Sequence, residues 1–325
     1  MNAPENEKFR KMDELSQRKV PFFFMIDFLV KNIEIFTENE IENSDLLIDF
    51  QNFKTHNPKH AEHKDFFLRS FPETKEEYKK GFDLVQENLK LGNSYLVNYT
   101  RKTRVETNLT PEEIFYVSKA KYKVCYPGKF VFFSPEIFVK IKEIQIFTYP
   151  MKGTIEAAVE NAAEKLKADV KEKAEHYTVV DLLRNDLSMV ADDVKLNDFQ
   201  RIDFIKTKQK NLFAMSSEIS GILKPEFRGK IGSIMQKLLP AGSILGAPKP
   251  KTLEIILESE RYERGYYTGI CGWFDGENLD SCVMIRFIEE ENGELYFKSG
   301  GGITHLSRLE DEYQEMKNKI YVPVH

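Results

Sequence analysis

Four short segments rich in aromatic and β-branched residues follow one another between positions 122 and 148: Tyr122 to Cys125, Phe130 to Ser134, Ile137 to Ile141 and Gln145 to Thr148. Residues of this kind suit a pleated, half-buried surface, and the breaks between the segments are short turns such as Pro127-Gly128. The run predicts an antiparallel meander. The rest of the chain is also organised in blocks. Glu156 to Leu187 reads as mostly helical, Gly229 to Leu239 as another helix and Lys251 to Ser259 as a third, while Gly269 to Phe274, Ser281 to Ile288 and Leu295 to Ser299 return to strand. Blocks of one type favour an α+β arrangement with large antiparallel sheets over a regularly alternating, doubly wound sheet. No repeat or low-complexity linker divides the chain.

Local signals sharpen this outline. Thr74 and Glu77 form a capping-box pattern that opens a helix, which runs to the Gly92-Asn93 stop. Thr110-Pro111-Glu112-Glu113 opens another, with proline at its first position. Residues 1–19 are polar and lack a periodic apolar face, so they predict a frayed end or one short surface helix. Pro21 to Val30 and Ile33 to Phe36 read as strands, and Gln51 to Lys64 as a loop whose His56, His60 and His63 are ordinary solvated histidines. The 325 residues with 41% hydrophobic content suffice for a sizeable core, and a net charge of −5 suggests no nucleic-acid partner. Cys125, Cys271 and Cys282 show no C-x-x-C spacing, and three is an odd number, which suits thiols in a reducing compartment. The apolar run Phe22 to Val30 spans about nine residues against the roughly 20 of a membrane helix and contains Asp27. A cytoplasmic protein without a membrane segment is expected.

Several groups of residues could carry chemistry. Glu172 and Glu175, and again Glu312 and Glu315, are spaced to share one helical face. Such pairs are either solvated helix surfaces or ligands for a hard cation such as Mg²⁺. The last helix opens with a capping-box pattern, Ser307 with Glu310, and sets Glu312, Glu315 and Lys319 on one face. Gly300-Gly301-Gly302 exposes bare backbone N–H groups and permits positive φ, the geometry of an anion nest suited to a carboxylate. Arg286, placed in the β-run Cys282 to Ile288, is either a fork for such a carboxylate or an ordinary strand arginine. Glu136 and Lys152, read as an acid and an amine on adjacent strands, form either an ion pair or a general acid with a nucleophile.

Taken in order, these segments resemble the chorismate-utilising enzymes, which include anthranilate, isochorismate, salicylate and aminodeoxychorismate synthases. The resemblance covers about three quarters of the chain and rests on Gly92 to Asn98, Ser134-Pro135-Glu136, Met151-Lys152-Gly153-Thr154, Ala174-Glu175-His176, Asp181 to Leu187, Pro240 to Lys249, Gly300 to Ile303 and Glu312-Tyr313-Gln314-Glu315. It implies large antiparallel β-sheets packed face to face and flanked by helices, with residues 1–73 a short N-terminal segment integrated into a catalytic domain of residues 74–325.

Lysine at position 152 resembles the aminodeoxychorismate synthases, where anthranilate and isochorismate synthases typically carry alanine. The resemblance then implies that Lys152 adds to C2 of chorismate while Glu136 protonates the departing C4 hydroxyl, and that ammonia enters at C4 as lysine leaves. By the same likeness Glu175 and Glu315 ligate Mg²⁺, Glu172 and Glu312 support it through water, and Tyr267, Arg286, Gly301, Gly302, Lys319 and Thr154 bind the substrate. A separate glutamine amidotransferase subunit is the implied source of ammonia, and an aminodeoxychorismate lyase the implied consumer of the product, for 4-aminobenzoate and folate. Two positions depart from the family pattern: Ala214 stands where a histidine is usual, and Leu245 where a small hydroxyl residue is usual. Other readings are an anthranilate or isochorismate synthase and a non-catalytic chorismate-binding homologue.

Overall fold

The computed structural model describes residues 3–55, 66–205 and 211–324, with the backbone alone for residues 3–5 and for Lys152, Thr154, Lys171, Ile205 and Leu212. His56, His60 and His63 lie outside the described residues. The chain opens with α1 (Ala3–Gln17), followed by β1 (Phe22–Ile26), β2 (Ile33–Thr37), α2 (Glu38–Glu42), β3 (Leu47–Phe50), β4 (Phe53–Lys54) and β5 (Leu68–Phe71). Helix α3 (Lys75–Lys90) begins at Thr74, whose side chain accepts from the Glu77 amide, and ends at Gly92 with φ +76°. After β6 (Leu96–Thr107) comes α4 (Pro111–Val117), whose capping box between Thr110 and Glu113 is complete. Then follow β7 (Tyr122–Tyr126), β8 (Phe130–Ser134), β9 (Ile137–Lys142), β10 (Gln145–Thr148), β11 (Met151–Glu156), α5 (Ala162–Ala168) and α6 (Val170–Ser188). The long strands β12 (Ala191–Ile205) and β13 (Leu212–Leu223) precede α7 (Ile231–Leu238), α8 (Gly242–Leu245), β14 (Gly246–Ala247) and α9 (Lys249–Glu260). Strands β15 (Ile270–Phe274), β16 (Leu279–Val283), β17 (Phe287–Glu291) and β18 (Glu294–Ile303) lead to α10 (Leu309–Asn318).

The strands form two antiparallel sheets. The first runs β11-β13-β10-β9-β16-β15-β1-β2 with β12 also on β13, and the second runs β14-β6-β18-β17-β8-β7-β3-β4 with β5 on β6. They pack face to face through an aromatic core in which Phe23, Met25, Cys271 and Cys282 of the first sheet meet Phe50, Tyr122, Phe132 and Phe287 of the second. Each fully buried phenylalanine contributes about 1.5–3 kcal/mol. The outer face of the first sheet is covered by α6 and α7 through Val179, Leu183, Ile234 and Leu238. The outer face of the second is covered by α3, α9 and α10 through Phe82, Val85, Ile256 and Met316. The amino-terminal segment is a packed helix, not a frayed end: Phe9 and Met12 are buried in the first core, and Asp13 accepts from both the amide and the hydroxyl of Ser233. All three cysteines are free and buried, and among the described residues no helix is long and apolar enough to cross a membrane.

The expected meander does not form. Strands β7 and β8 pair in the second sheet, but β9 and β10 belong to the first, so the chain changes sheets at Pro135-Glu136. The predicted strand Ser281 to Ile288 likewise splits, with β16 in the first sheet and β17 in the second, and Arg286 at the break has φ +54°. The cause is local in both places. A proline has no N–H to continue a ladder, and a left-handed backbone cannot continue a pleat. The two crossings lie side by side. The Phe133 amide donates to the Arg286 carbonyl and the Val283 amide to the Glu136 carbonyl, each at 3.1 Å.

Candidate active site

The paired crossings put a carboxyl group and a guanidinium at the seam where the sheets part. Glu136 follows a turn in which the Ser134 hydroxyl accepts from the Glu136 amide at 3.1 Å, and its Oε1 accepts from the Ser243 hydroxyl at 2.8 Å. Arg286 stacks its guanidinium over the Tyr321 ring, 5.0 Å from the centroid, and its buried Nε–H has no hydrogen-bond partner. Tyr267 is buried close by. Desolvation pushes its phenol well up, Arg264 pulls it back and Glu260 adds to the rise, with smaller effects of the same signs from Arg286 and Glu136. Glu136 and Lys152 do not sit on adjacent strands: β11 pairs with β13, while Glu136 precedes β9. The reason is that β13, from far along the chain, inserts between β11 and β10, a pairing the linear pattern does not display.

The second rim is built by β18 and α10. Gly300, Gly301 and Gly302 are strand residues opposite Thr100, Tyr99 and Asn98, and none has positive φ, so they are not an anion nest. Their glycine identity answers to close approach. A Cβ on Gly300 would stand 2.2 Å from the Tyr99 carbonyl oxygen, and one on Gly301 would stand 2.8 Å from Glu315 Oε1 and 3.6 Å from Glu312 Oε2. Lys319, one turn beyond Glu315, donates to Glu315 Oε1 at 2.6 Å and to the Gly300 carbonyl at 2.8 Å. The capping box expected of Ser307 and Glu310 is absent. The helix starts at Arg308 without a side-chain cap, Ser307 accepts from the Thr304 amide, and Glu310 reaches Lys75.

The third rim is α6 against β11. Asp169 caps the helix by accepting from the Glu172 amide at 2.9 Å. Gly153 sits at a bulge in β11 with φ +74°, and a Cβ there would stand 2.8 Å from Glu172 Oε2. Glu175 is buried, and the adjacent His176 is held by Ser217 through an Nε2···Oγ contact of 2.7 Å.

Among the described residues no group of three or more His, Cys, Asp or Glu side chains gathers as a metal site. Carboxylates brought together repel in the absence of a cation, and the Lys319 ammonium supplies the counter-charge to Glu315. Mg²⁺ characteristically uses one or two carboxylates and completes its shell with water and substrate oxygens. Glu312 and Glu315, side by side at the bare Gly301 backbone, fit that requirement.

The framework behind the site comes from motifs that sequence reasoning quoted without giving them a task. Asp186 forms an ion pair with Lys249 at 2.8 Å. Burial pushes its carboxyl up, while Lys249 and a hydrogen bond from the Gly242 amide pull it back. The Ile244 carbonyl accepts from Asn98 Nδ2 at 2.8 Å and from Arg264 Nη1 at 3.3 Å, and Arg264 is itself locked to Glu260 in a buried pair. The two departures from the family pattern also find their places. Leu245 points into the core with Val97, Tyr99 and Ile256, and Ala214 is fully buried in β13 opposite Thr154. Ser243 and Tyr321 were missed because their partners, Glu136 and Arg286, are distant in sequence.

The residues singled out thus lie on two acidic helices and at an acid–arginine seam of one pair of antiparallel sheets. The chain belongs to the chorismate binding enzyme family, whose profile matches residues 13–325. It is 47% identical over 320 residues to an uncharacterised PabA-like protein of Pasteurella multocida, covering 97% of this chain and 98% of that one. A 30% identity over 263 residues links it to anthranilate synthase component 1 of Saccharomyces cerevisiae, covering 76% of this chain and 51% of the relative, so the chain matches about half of that protein. In fold it is similar to the menaquinone-specific isochorismate synthase MenF of Escherichia coli, with a TM-score of 0.72 at 15% identity over 97% of this chain and 80% of that one.

Proposed function

We propose that this chorismate-family enzyme aminates chorismate to 4-amino-4-deoxychorismate. The observation that carries the reading is the lysine of Met151-Lys152-Gly153-Thr154, on a strand of the same sheet whose seam holds Glu136. The Lys152 amine attacks C2, both conjugated ring double bonds shift by one position, and the C4–O bond breaks as Glu136 gives its proton to the departing hydroxyl, which leaves as water. Ammonia then attacks C4, both double bonds shift back, and the C2–N bond to Lys152 breaks. The surplus proton of the incoming ammonia returns to the Glu136 carboxylate. Arg286 offers its fork to one substrate carboxylate, and buried Tyr267 offers a neutral hydroxyl donor.

Mg²⁺, held by Glu315 and Glu175 with Glu312 and Glu172 behind them, would neutralise the charge of the ring carboxylate. Lys319, Gly301, Gly302 and Thr154 complete the substrate contacts in this reading. A glutamine amidotransferase partner supplies the ammonia, a lyase that removes pyruvate consumes the product, and both act with this protein in the cytoplasm. The test is to incubate the purified protein with chorismate, Mg²⁺ and ammonium and identify the product. We expect 4-amino-4-deoxychorismate from the wild type and none from Lys152→Ala. Glu136→Gln should lower turnover by about 10²–10⁴-fold, the usual contribution of a general acid. Glu315→Ala should weaken Mg²⁺-dependent chorismate binding, read by calorimetry. Anthranilate or isochorismate as the product, or a Lys152→Ala protein that still aminates, would overturn the proposal.

A further inference from the structure

Ser243 stands at the middle of a turn that is fixed at both ends. At its start the Gly242 amide donates to Asp186, which Lys249 also holds at 2.8 Å. A Cβ on Gly242 would lie 2.8 Å from Leu182 Cδ2 and 2.9 Å from Asp186 Oδ2, so α8 rests directly on α6. At its end the Ile244 carbonyl receives Asn98 and Arg264, and Gly246 and Ala247 pair with Val97 and Leu96 of β6. Ala241, Gly242, Ile244, Leu245 and Gly246 are buried and Ser243 is half-buried. A four-residue helix has almost no stability of its own, so tertiary contacts alone set the position of this hydroxyl. Its partner is Glu136 Oε1 at 2.8 Å.

We propose that Ser243 is a positioning residue for Glu136, fixing the rotation of the carboxyl so that it faces the C4 hydroxyl of the substrate; this rests on the amination reading above. The hydroxyl suits both states of the acid. It donates to Oε1 of the carboxylate, and it donates to the same oxygen when the acid is protonated on Oε2, which leaves that proton free for the substrate. The proton therefore leaves and returns to a group whose orientation does not change.

The experiment measures chorismate amination with ammonium for the wild type, Ser243→Ala, Ser243→Thr, Glu136→Ala and the double variant Ser243→Ala/Glu136→Ala. Misplacing a catalytic group by about 1 Å can cost on the order of 10²-fold. We expect a loss of that size in kcat for Ser243→Ala with KM for chorismate unchanged, and recovery in Ser243→Thr, which keeps the hydroxyl. In the Glu136→Ala background the serine change should have no further effect on residual turnover, since the hydroxyl acts only through that carboxylate. Wild-type kcat in Ser243→Ala, an equal loss in the Glu136→Ala background, or failure of threonine to restore turnover would overturn the assignment. An inactive wild type would defeat the amination reading itself, whereas an active wild type beside an equally active Ser243→Ala defeats this inference alone.

Discussion

Gly153 and Gly301 both stand where an added Cβ would meet a glutamate oxygen at 2.8 Å, Glu172 Oε2 in the first case and Glu315 Oε1 in the second. The backbones that achieve this differ. Gly301 lies in a regular stretch of β18, fully paired with β6. Gly153 has φ +74° at an irregularity of β11, with Leu166 Cδ1 also 3.0 Å from the added carbon. The two strands thus bring a carboxylate to bare backbone by separate means, one by a flat strand and one by a kink. The difference teaches that glycine is required at Gly301 for space alone, and at Gly153 for space and conformation together.

Alanine substitution separates those requirements. Gly153→Ala should be the more damaging. An L-residue in the left-handed region costs about 1–2 kcal/mol, and crowding Leu166 and Glu172 adds roughly 1–3 kcal/mol. A fall in the urea midpoint of corresponding size would show it. Gly301→Ala carries no such backbone penalty, and alanine is favoured over glycine in a strand by about 0.5–1 kcal/mol. The atom it meets is the end of a flexible side chain. Its stability should stay near wild type while Mg²⁺-dependent chorismate binding weakens, because Glu315 must turn away. Equal destabilisation by the two variants would dissolve the distinction between the rims.

What could be read from the sequence follows the same division between local and distant causes. The starts of α3 and α4 were legible because a threonine and the amide three residues on decide them within one turn. The block pattern gave large antiparallel sheets in an α+β arrangement, since strand identity is a local property. Which sheet each strand joins is not: β8 and β9 each look like the next leg of a meander, and only the stop at Pro135 divides them, as the left-handed Arg286 divides β16 from β17. The glycine run was misjudged for the reverse reason. Composition shows that the backbone is bare, but the register with Tyr99 shows that it is flat. Ser243 lay beyond reach because its partner is 107 residues away, and no periodicity encodes that contact.

The helix starts at the two rims give the finest test of the comparison. On α6 the cap is local: Asp169 accepts from the Glu172 amide at 2.9 Å, so Glu172 is placed by the helix's own first turn. On α10 the residues that look like a capping box do other work. Ser307 closes a turn onto the Thr304 amide, and Glu310 pairs with Lys75 at 2.7 Å on the surface. The position of α10 comes instead from Met316, buried in the core with Tyr78 and Ile303, and from the Tyr313 hydroxyl on the Glu73 carbonyl. Removing an N-cap typically costs about 1 kcal/mol, so Asp169→Ala should lower stability by about that amount and keep most of the loss in high salt, where only its charge–dipole part is screened. Ser307→Ala should cost less, and any effect of Glu310→Ala should vanish in about 1 M salt, where charges are screened within ~3 Å. If instead Ser307→Ala and Glu310→Ala each match Asp169→Ala and salt makes no difference, then α10 is capped as α6 is, and its carboxylates are placed by the same local rule.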